Sequence, residues 1–186
     1  MRLFSAESFL DPWTCAAFRR ALDAGEVEEA EVIGRGIHPQ RQVRRATLVE
    51  PSGAIVNEVE TRLESMREPV AGALGLRLGG REGPGFVRYP AGGFYRPHRD
   101  RGHDPKWQMA AHRAVALVAF LNNSRDADAD GDFDGGILRL LLPEGPIDVV
   151  PRAGLLVAFP ADVLHEVTEV RGGTRDTIVD WFYEAR

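Results

Sequence analysis

The spacing of apolar residues changes character once along the chain. Before about residue 84 apolar side chains recur at three- and four-residue intervals, and from Gly85 onward they fall into short runs separated by turn residues. Asp11-Pro12 reads as an N-cap and first helical position, followed by Trp13, Ala17, Phe18, Ala21 and Leu22 at helical spacing, with Gly25 as a stop. A second helix is predicted from about Ser52 toward Leu74, its buried stripe formed by Val56, Val59, Leu63, Met66 and Val70, and Pro69 kinks or divides it. Beyond Gly85 the runs predict strands near Phe86–Tyr89, Tyr95–Asp100, Val115–Leu121, Ile137–Leu142, Ile147–Val150, Leu155–Phe159, Leu164–Val170 and Thr177–Tyr183. Turn clusters such as Pro90-Ala91-Gly92-Gly93 and Pro143-Glu144-Gly145-Pro146 separate them. No helix-length segment lies between these strands, which disfavours an alternating βαβ architecture. The expected fold is therefore α+β but mostly β: a double-stranded β-helix, or jelly roll, over about 85–186, with helices only before it, over about 1–84, as support.

Candidate chemistry is concentrated in this β-rich part. On a strand, residues two apart project to one face, so His98 and Asp100 can meet one metal ion while Arg99 points away. His165 follows the turn Pro160-Ala161-Asp162 on another predicted strand. Two histidines and a carboxylate are the facial triad of non-haem Fe(II) oxygenases, which leaves coordination positions open for a co-substrate and dioxygen. An isolated H-x-D is a common tripeptide; its context gives it weight. Arg175 stands ten residues after His165, and Thr177 shares its strand face, so a guanidinium fork and a hydroxyl are presented together. Such a pair suits a carboxylate at the closed end of a pocket.

From about Gly85 to the C-terminus the chain resembles the Fe(II)- and 2-oxoglutarate-dependent dioxygenases, and within them the prolyl-4-hydroxylase-like group. The stretches that carry the resemblance are FVRYPAGGFYRPHRD, ALVAFLNN, DFDGGILRL, VPRAGLLVAFP, LHEV and GGTRDTIVDWF, in the family's order. The resemblance implies that His98, Asp100 and His165 ligate iron, that Arg175 pairs with the distal carboxylate of 2-oxoglutarate, and that Thr177 is a secondary donor. It implies that Tyr89 bonds the same co-substrate. It also implies O2 as oxidant, ascorbate as reductant, and hydroxylation of an amino-acid side chain, free or in a peptide, coupled to conversion of 2-oxoglutarate to succinate and CO2. Many relatives of the collagen-modifying type carry lysine where this chain has Arg175, so the cationic role is retained while their substrate is not inherited.

Composition narrows the alternatives. With 186 residues the chain is expected to form a single domain, 1–186, large enough to fold without a disulfide or metal staple. Cys15 is the only cysteine, which excludes an internal disulfide and any multi-cysteine metal site. No apolar run suits a bilayer, and acidic residues interrupt the N-terminal region where a signal peptide needs an apolar core; a cytoplasmic protein is expected. A net charge of -5 disfavours nucleic acid as partner, and with it an alkylated nucleobase as substrate. A secondary metabolite is the other alternative substrate, a catalytically silent jelly-roll binding module the alternative class, and the oligomeric state stays open. Asp126, Asp128, Asp130, Asp132 and Asp134 supply five of the 28 acidic residues, and their D-x-D-x-D-G run matches half a calcium loop. Ile137 replaces the required twelfth-position glutamate, so a solvated acidic loop is expected. His103 and Asp104 are expected in a substrate or surface loop, and residues 30–50 in the substrate wall.

Overall fold

A computed structural model of the chain describes residues 3–30, 40–102 and 108–185. His103, Asp104 and residues 31–39 of the expected substrate wall lie outside the described residues. Strand β1 (Phe4–Ala6) precedes helix α1 (Pro12–Asp23), strands β2 (Glu26–Glu29), β3 (Arg44–Arg45) and β4 (Thr47–Glu50), helices α2 (Gly53–Ser65) and α3 (Arg67–Leu74), and β5 (Leu78–Arg81). The remainder is β6 (Gly85–Pro90), β7 (Phe94–His98), a short 3-10 turn at Gln108–His112, β8 (Arg113–Phe120), β9 (Asp134–Gly135), β10 (Leu138–Leu142) and β11 (Gly145–Val149). It closes with β12 (Leu156–Pro160), β13 (His165–Val167), β14 (Val170–Gly172) and β15 (Thr174–Glu184).

Local chemistry accounts for the helix ends. The Asp11 carboxylate accepts from the Thr14 amide at 2.9 Å and its hydroxyl at 2.6 Å, and Pro12 occupies the first helical turn of α1. The long predicted helix is divided, but at Met66 rather than at Pro69. Pro69 sits in the first turn of α3, just before Val70, whose amide bonds the Met66 carbonyl at 2.9 Å, so the amide that proline lacks is one the helix does not need.

Two antiparallel sheets form the jelly roll. The larger runs β1-β12-β8-β15-β6-β4-β2, with β5 also paired to β15; the smaller runs β11-β10-β13-β7-β3. The expectation of helices alone before Gly85 is corrected here, because β1, β2, β4 and β5 extend the large sheet and β3 the small one. These strands are only two to four residues long, too short to show an apolar alternation, and β2 is exposed throughout. The predicted Leu164–Val170 strand is likewise two, because the chain leaves β10 and β7 after Val167 and β14 pairs with β9.

Strand alternation builds the core on both faces of the large sheet. Val115, Leu117 and Ala119 of β8 pack with Phe18, Leu22, Val59, Leu63 and Val70 of the helices. Ala116, Val118 and Phe120, the intervening residues, pack with Leu138, Leu140 and Phe159 between the sheets. The helices therefore seal the outer face, and the inner face is left for the site. Phe182 is fully buried in the helix-facing cluster, whereas Trp13 is 85% exposed. Phe182→Ala is expected to lower the unfolding free energy by about 3–5 kcal/mol, and Trp13→Ala to change it by less than about 0.5 kcal/mol, both measured by urea denaturation.

Candidate metal centre and pocket

β7 and β13 are neighbours in the small sheet, and their register sets His98 directly opposite His165. Four residues of β7, Tyr95 to His98, span three of β13, His165 to Val167, so the strand bulges around Arg96-Pro97. The extra residue turns Tyr95 and His98 to one side, and their rings stack with centroids 3.4 Å apart and planes at 15°. Asp100 lies two residues beyond the end of β7 and turns back toward both histidines. Its Oδ1 is 3.4 Å from His98 Nε2 and its Oδ2 is 3.6 Å from His165 Nε2. Among the described residues these three are the group able to hold a metal ion, with one ligand atom from each within 4.8 Å of the others.

Each imidazole is oriented by its own chain. His98 Nδ1 lies 2.8 Å from the Arg96 carbonyl, and His165 Nδ1 lies 2.9 Å from the Val163 carbonyl. A carbonyl only accepts, so Nδ1 carries a proton in both rings and both Nε2 atoms face the centre. His165 is buried, with Phe159 edge-on at 4.9 Å, and burial pushes it down to about 4 against the attraction of Asp100. Burial opposes ionisation of Asp100, but His165, His98 and the indole N–H of Trp181, 2.9 Å from Oδ2, outweigh it and hold the carboxyl below its usual range. A neutral imidazole and an ionised carboxylate are the protonation states a divalent cation requires.

The centre opens into a cavity of about 510 Å³ between the sheets, which Tyr89, Arg175 and Thr177 also line. Arg175 and Thr177 share the inner face of β15, as the alternation predicts. Arg175 is 2% exposed, and no carboxylate pairs with it among the described residues. One of its terminal nitrogens donates to the Thr177 hydroxyl at 3.3 Å, while its buried Nε has no hydrogen-bond partner. Burial pushes this guanidinium down to about 10. Its carbon lies 4.9 Å from the Tyr89 ring centroid and 5.3 Å from that of Phe120, so aromatic faces rather than anions surround it. The Thr177 hydroxyl, 3.2 Å from the Val87 carbonyl, donates its proton there and accepts from Arg175. Gly136, at φ +61, allows the chain to pass the guanidinium stem: a Cβ there would sit 2.8 Å from Arg175 Cδ.

Other sequence features stand apart from the centre. The acidic loop is ion-paired rather than fully solvated: Asp126 with Arg171, Asp132 with Arg19 and Asp134 with Arg125. Asp126 also accepts from the Gly135 amide at 3.1 Å, and the loop contributes no metal-capable group. Cys15 is buried in α1, and burial pushes its thiol up to about 11. Residues that strand alternation did not single out, Trp181 and Arg113, line the same cavity.

A buried cation with no counterion among the described residues shares one cavity with a two-histidine, one-carboxylate group inside a jelly roll, and that donor set is the one non-haem metal oxygenases use. The family model described as the 2OG-Fe(II) oxygenase superfamily matches residues 84–183, and the chain belongs to that superfamily. A PKHD-type hydroxylase of Hyphomonas neptunium is 35% identical over 94 residues, which are 50% of this chain and 39% of that protein. The chain thus spans well under half the length of the curated relative it matches. Among solved structures, a Pseudomonas putida prolyl-4-hydroxylase superposes with a TM-score of 0.73 at 29% identity, covering 99% of this chain and 93% of that one. A prolyl hydroxylase from Trichoplax adhaerens, in complex with a hypoxia inducible factor oxygen degradation domain peptide fragment, superposes at 0.79 with 18% identity, covering 98% and 83%.

For the metal-free protein, the lowered value of His165 means that the unfolded chain binds more protons than the folded one between about pH 6.5 and 4. Stability is therefore expected to fall as pH drops through that window, by up to about 3 kcal/mol, with a shallower slope in His165→Gln. Urea midpoints at half-unit pH steps measure it.

Proposed function

We propose that the chain is an Fe(II)- and 2-oxoglutarate-dependent hydroxylase of an amino-acid side chain, free or in a peptide, and that all of 1–186 acts as one such domain. The observation that carries the reading is Arg175: a fully buried guanidinium with an unpartnered Nε, in the same cavity as His98, Asp100 and His165. Removing a charge from water without a counterion costs several kcal/mol, and a carboxylate delivered by a ligand offsets that cost. The donor set also fits ferrous iron, which takes imidazole and carboxylate ligands, with Asp100 held ionised and His165 held neutral.

In this reading His98, Asp100 and His165 hold the iron through Nε2, a carboxylate oxygen and Nε2. Arg175 binds the distal carboxylate of 2-oxoglutarate, Tyr89 adds a phenol hydroxyl beside it, and Thr177 fixes the guanidinium so that its free N–H groups face the ligand. When bound, iron and 2-oxoglutarate together supply the activation of O2, releasing succinate and CO2, with ascorbate as the reductant that keeps the metal ferrous. The protein's own part is placement. Val118, Leu138 and Val179 line the cavity and limit water near the reacting atoms. The side-chain substrate class is supported by the similarity to the Pseudomonas putida prolyl-4-hydroxylase and to the PKHD-type hydroxylase. Among the described residues no helix is long and apolar enough to cross a membrane.

Anaerobic addition of Fe(II) and 2-oxoglutarate is expected to produce a weak visible charge-transfer band that His98→Ala lacks. A succinate-release screen over amino acids and proline-containing peptides, read by mass spectrometry for a gain of one oxygen, then identifies the substrate. Arg175→Gln is expected to raise the 2-oxoglutarate concentration for half-saturation at least about 30-fold. Wild type with neither the band nor succinate release in air overturns the reading.

A further inference from the structure

Arg113 opens β8 and is 3% exposed, although it is charged and borders the cavity. Its Nε donates to Glu82 Oε2 at 2.7 Å and a terminal nitrogen donates to Glu82 Oε1, a two-pronged pair. The other terminal nitrogen donates to the backbone carbonyl of Asp100 at 3.1 Å. The guanidinium plane covers the Trp181 ring, its carbon 3.7 Å from the ring centroid. Trp181 in turn donates its indole N–H to Asp100 Oδ2 at 2.9 Å. Tyr183, two residues further along β15, completes the arrangement by donating its hydroxyl to Glu82 Oε2 at 3.3 Å. Asp100 is thus held at its carbonyl by Arg113 and at its carboxylate by Trp181, and these two holders are clamped to each other.

A buried ion pair contributes little net stability, since desolvation cancels most of the attraction. This pair does two other things. Stacking fixes the plane of the indole, and a cation over the ring face draws electron density from it and strengthens its N–H as a donor. With Oδ2 held by that donor, the carboxylate cannot turn freely about its Cβ–Cγ bond. Oδ1, which faces His98 Nε2, remains for the metal.

We infer that Trp181 is a positioning residue for the metal centre, locked by the Arg113–Glu82 pair, and that it makes Asp100 a one-oxygen ligand that leaves a neighbouring coordination position open. The inference rests on the reading that His98, Asp100 and His165 bind the metal. Trp181→Phe keeps a smaller ring face for Arg113 and removes the N–H donor. Cobalt(II), titrated anaerobically, reports affinity by calorimetry and coordination number by its visible d–d bands. Trp181→Phe is expected to weaken cobalt binding about 10-fold and to change the intensity of those bands, with the melting temperature of the metal-free protein nearly unaltered. Glu82→Gln, which leaves the indole in place but loosens its clamp, is expected to weaken binding by a smaller factor, and it decides the question alone if Trp181→Phe does not fold. Affinity within twofold of wild type and an unchanged spectrum in the folded variant overturn the inference while the metal reading stands. Wild type with no His98-dependent cobalt signal overturns the metal reading, and this inference with it.

Discussion

The antiparallel pairing of β7 with β13 sets His98 across from His165, and both the centre and the cavity depend on that register. A slip of one residue would turn one histidine to the opposite face of the small sheet and abolish the site. Two features hold the register. β13 is fixed on its other edge by β10, which pairs Leu140 with His165 and buries Leu138 and Leu140 between the sheets. The bulge at Arg96-Pro97 admits one extra residue on β7, so that Tyr95 lies flat against His98 instead of pointing to the other face. Both histidine side chains are therefore placed by backbone pairing, and that of His98 by a ring stack as well.

β15 faces a harder problem, because it carries ionisable groups on both sides in the middle of the large sheet. Asp176 and Asp180 point away from the cavity and are fully buried. Arg88 and Arg19 neutralise Asp176, and Arg81 and the Gly83 amide neutralise Asp180. On the inner face Arg175 has no such partner among the described residues, although it is as deeply buried. One strand thus satisfies its anions from within the chain while its buried cation faces the cavity. The chain's net charge of -5 belongs to the same account: three of the five aspartates in the Asp126–Asp134 run are matched by arginines, so the acidic excess gives little picture of the surface elsewhere.

The helical stretches and seven of the eight strands expected after Gly85 were legible because burial on a regular face leaves a period in the sequence, and the Asp11 cap and turn glycines mark the ends; the break at Val167 and the two-residue β9 left no such period. Strands β1 to β5 were not legible, since the pairing of two to four residues is too short to leave a period and is decided by the strands they meet. The candidate site was legible as residue types, yet part of the geometric argument was not the one the fold uses. His98 ends its strand and Asp100 lies beyond it, so a turn, rather than strand alternation, brings them together. Trp181 left no signal, because an apolar-strand tryptophan reads as core, and Arg113 was one of several arginines near the candidate strand with nothing in the sequence to set it apart.

The orientation of the two histidines shows how little of the centre must be arranged upon binding. Each ring is held by the carbonyl two residues before it, an acceptor that the backbone supplies once β7 and β13 are formed. A ligand histidine held by a distant side chain would depend on that side chain's own packing, whereas a carbonyl two residues away moves with the ligand itself. The tautomer and ring plane of both histidines are thus consequences of local chain path, and only Asp100, on a turn, needs support from other elements. That asymmetry explains why the buried charged pair of the cavity wall is found beside the carboxylate and not beside the imidazoles. Polar support gathers where the backbone alone leaves a ligand free to rotate.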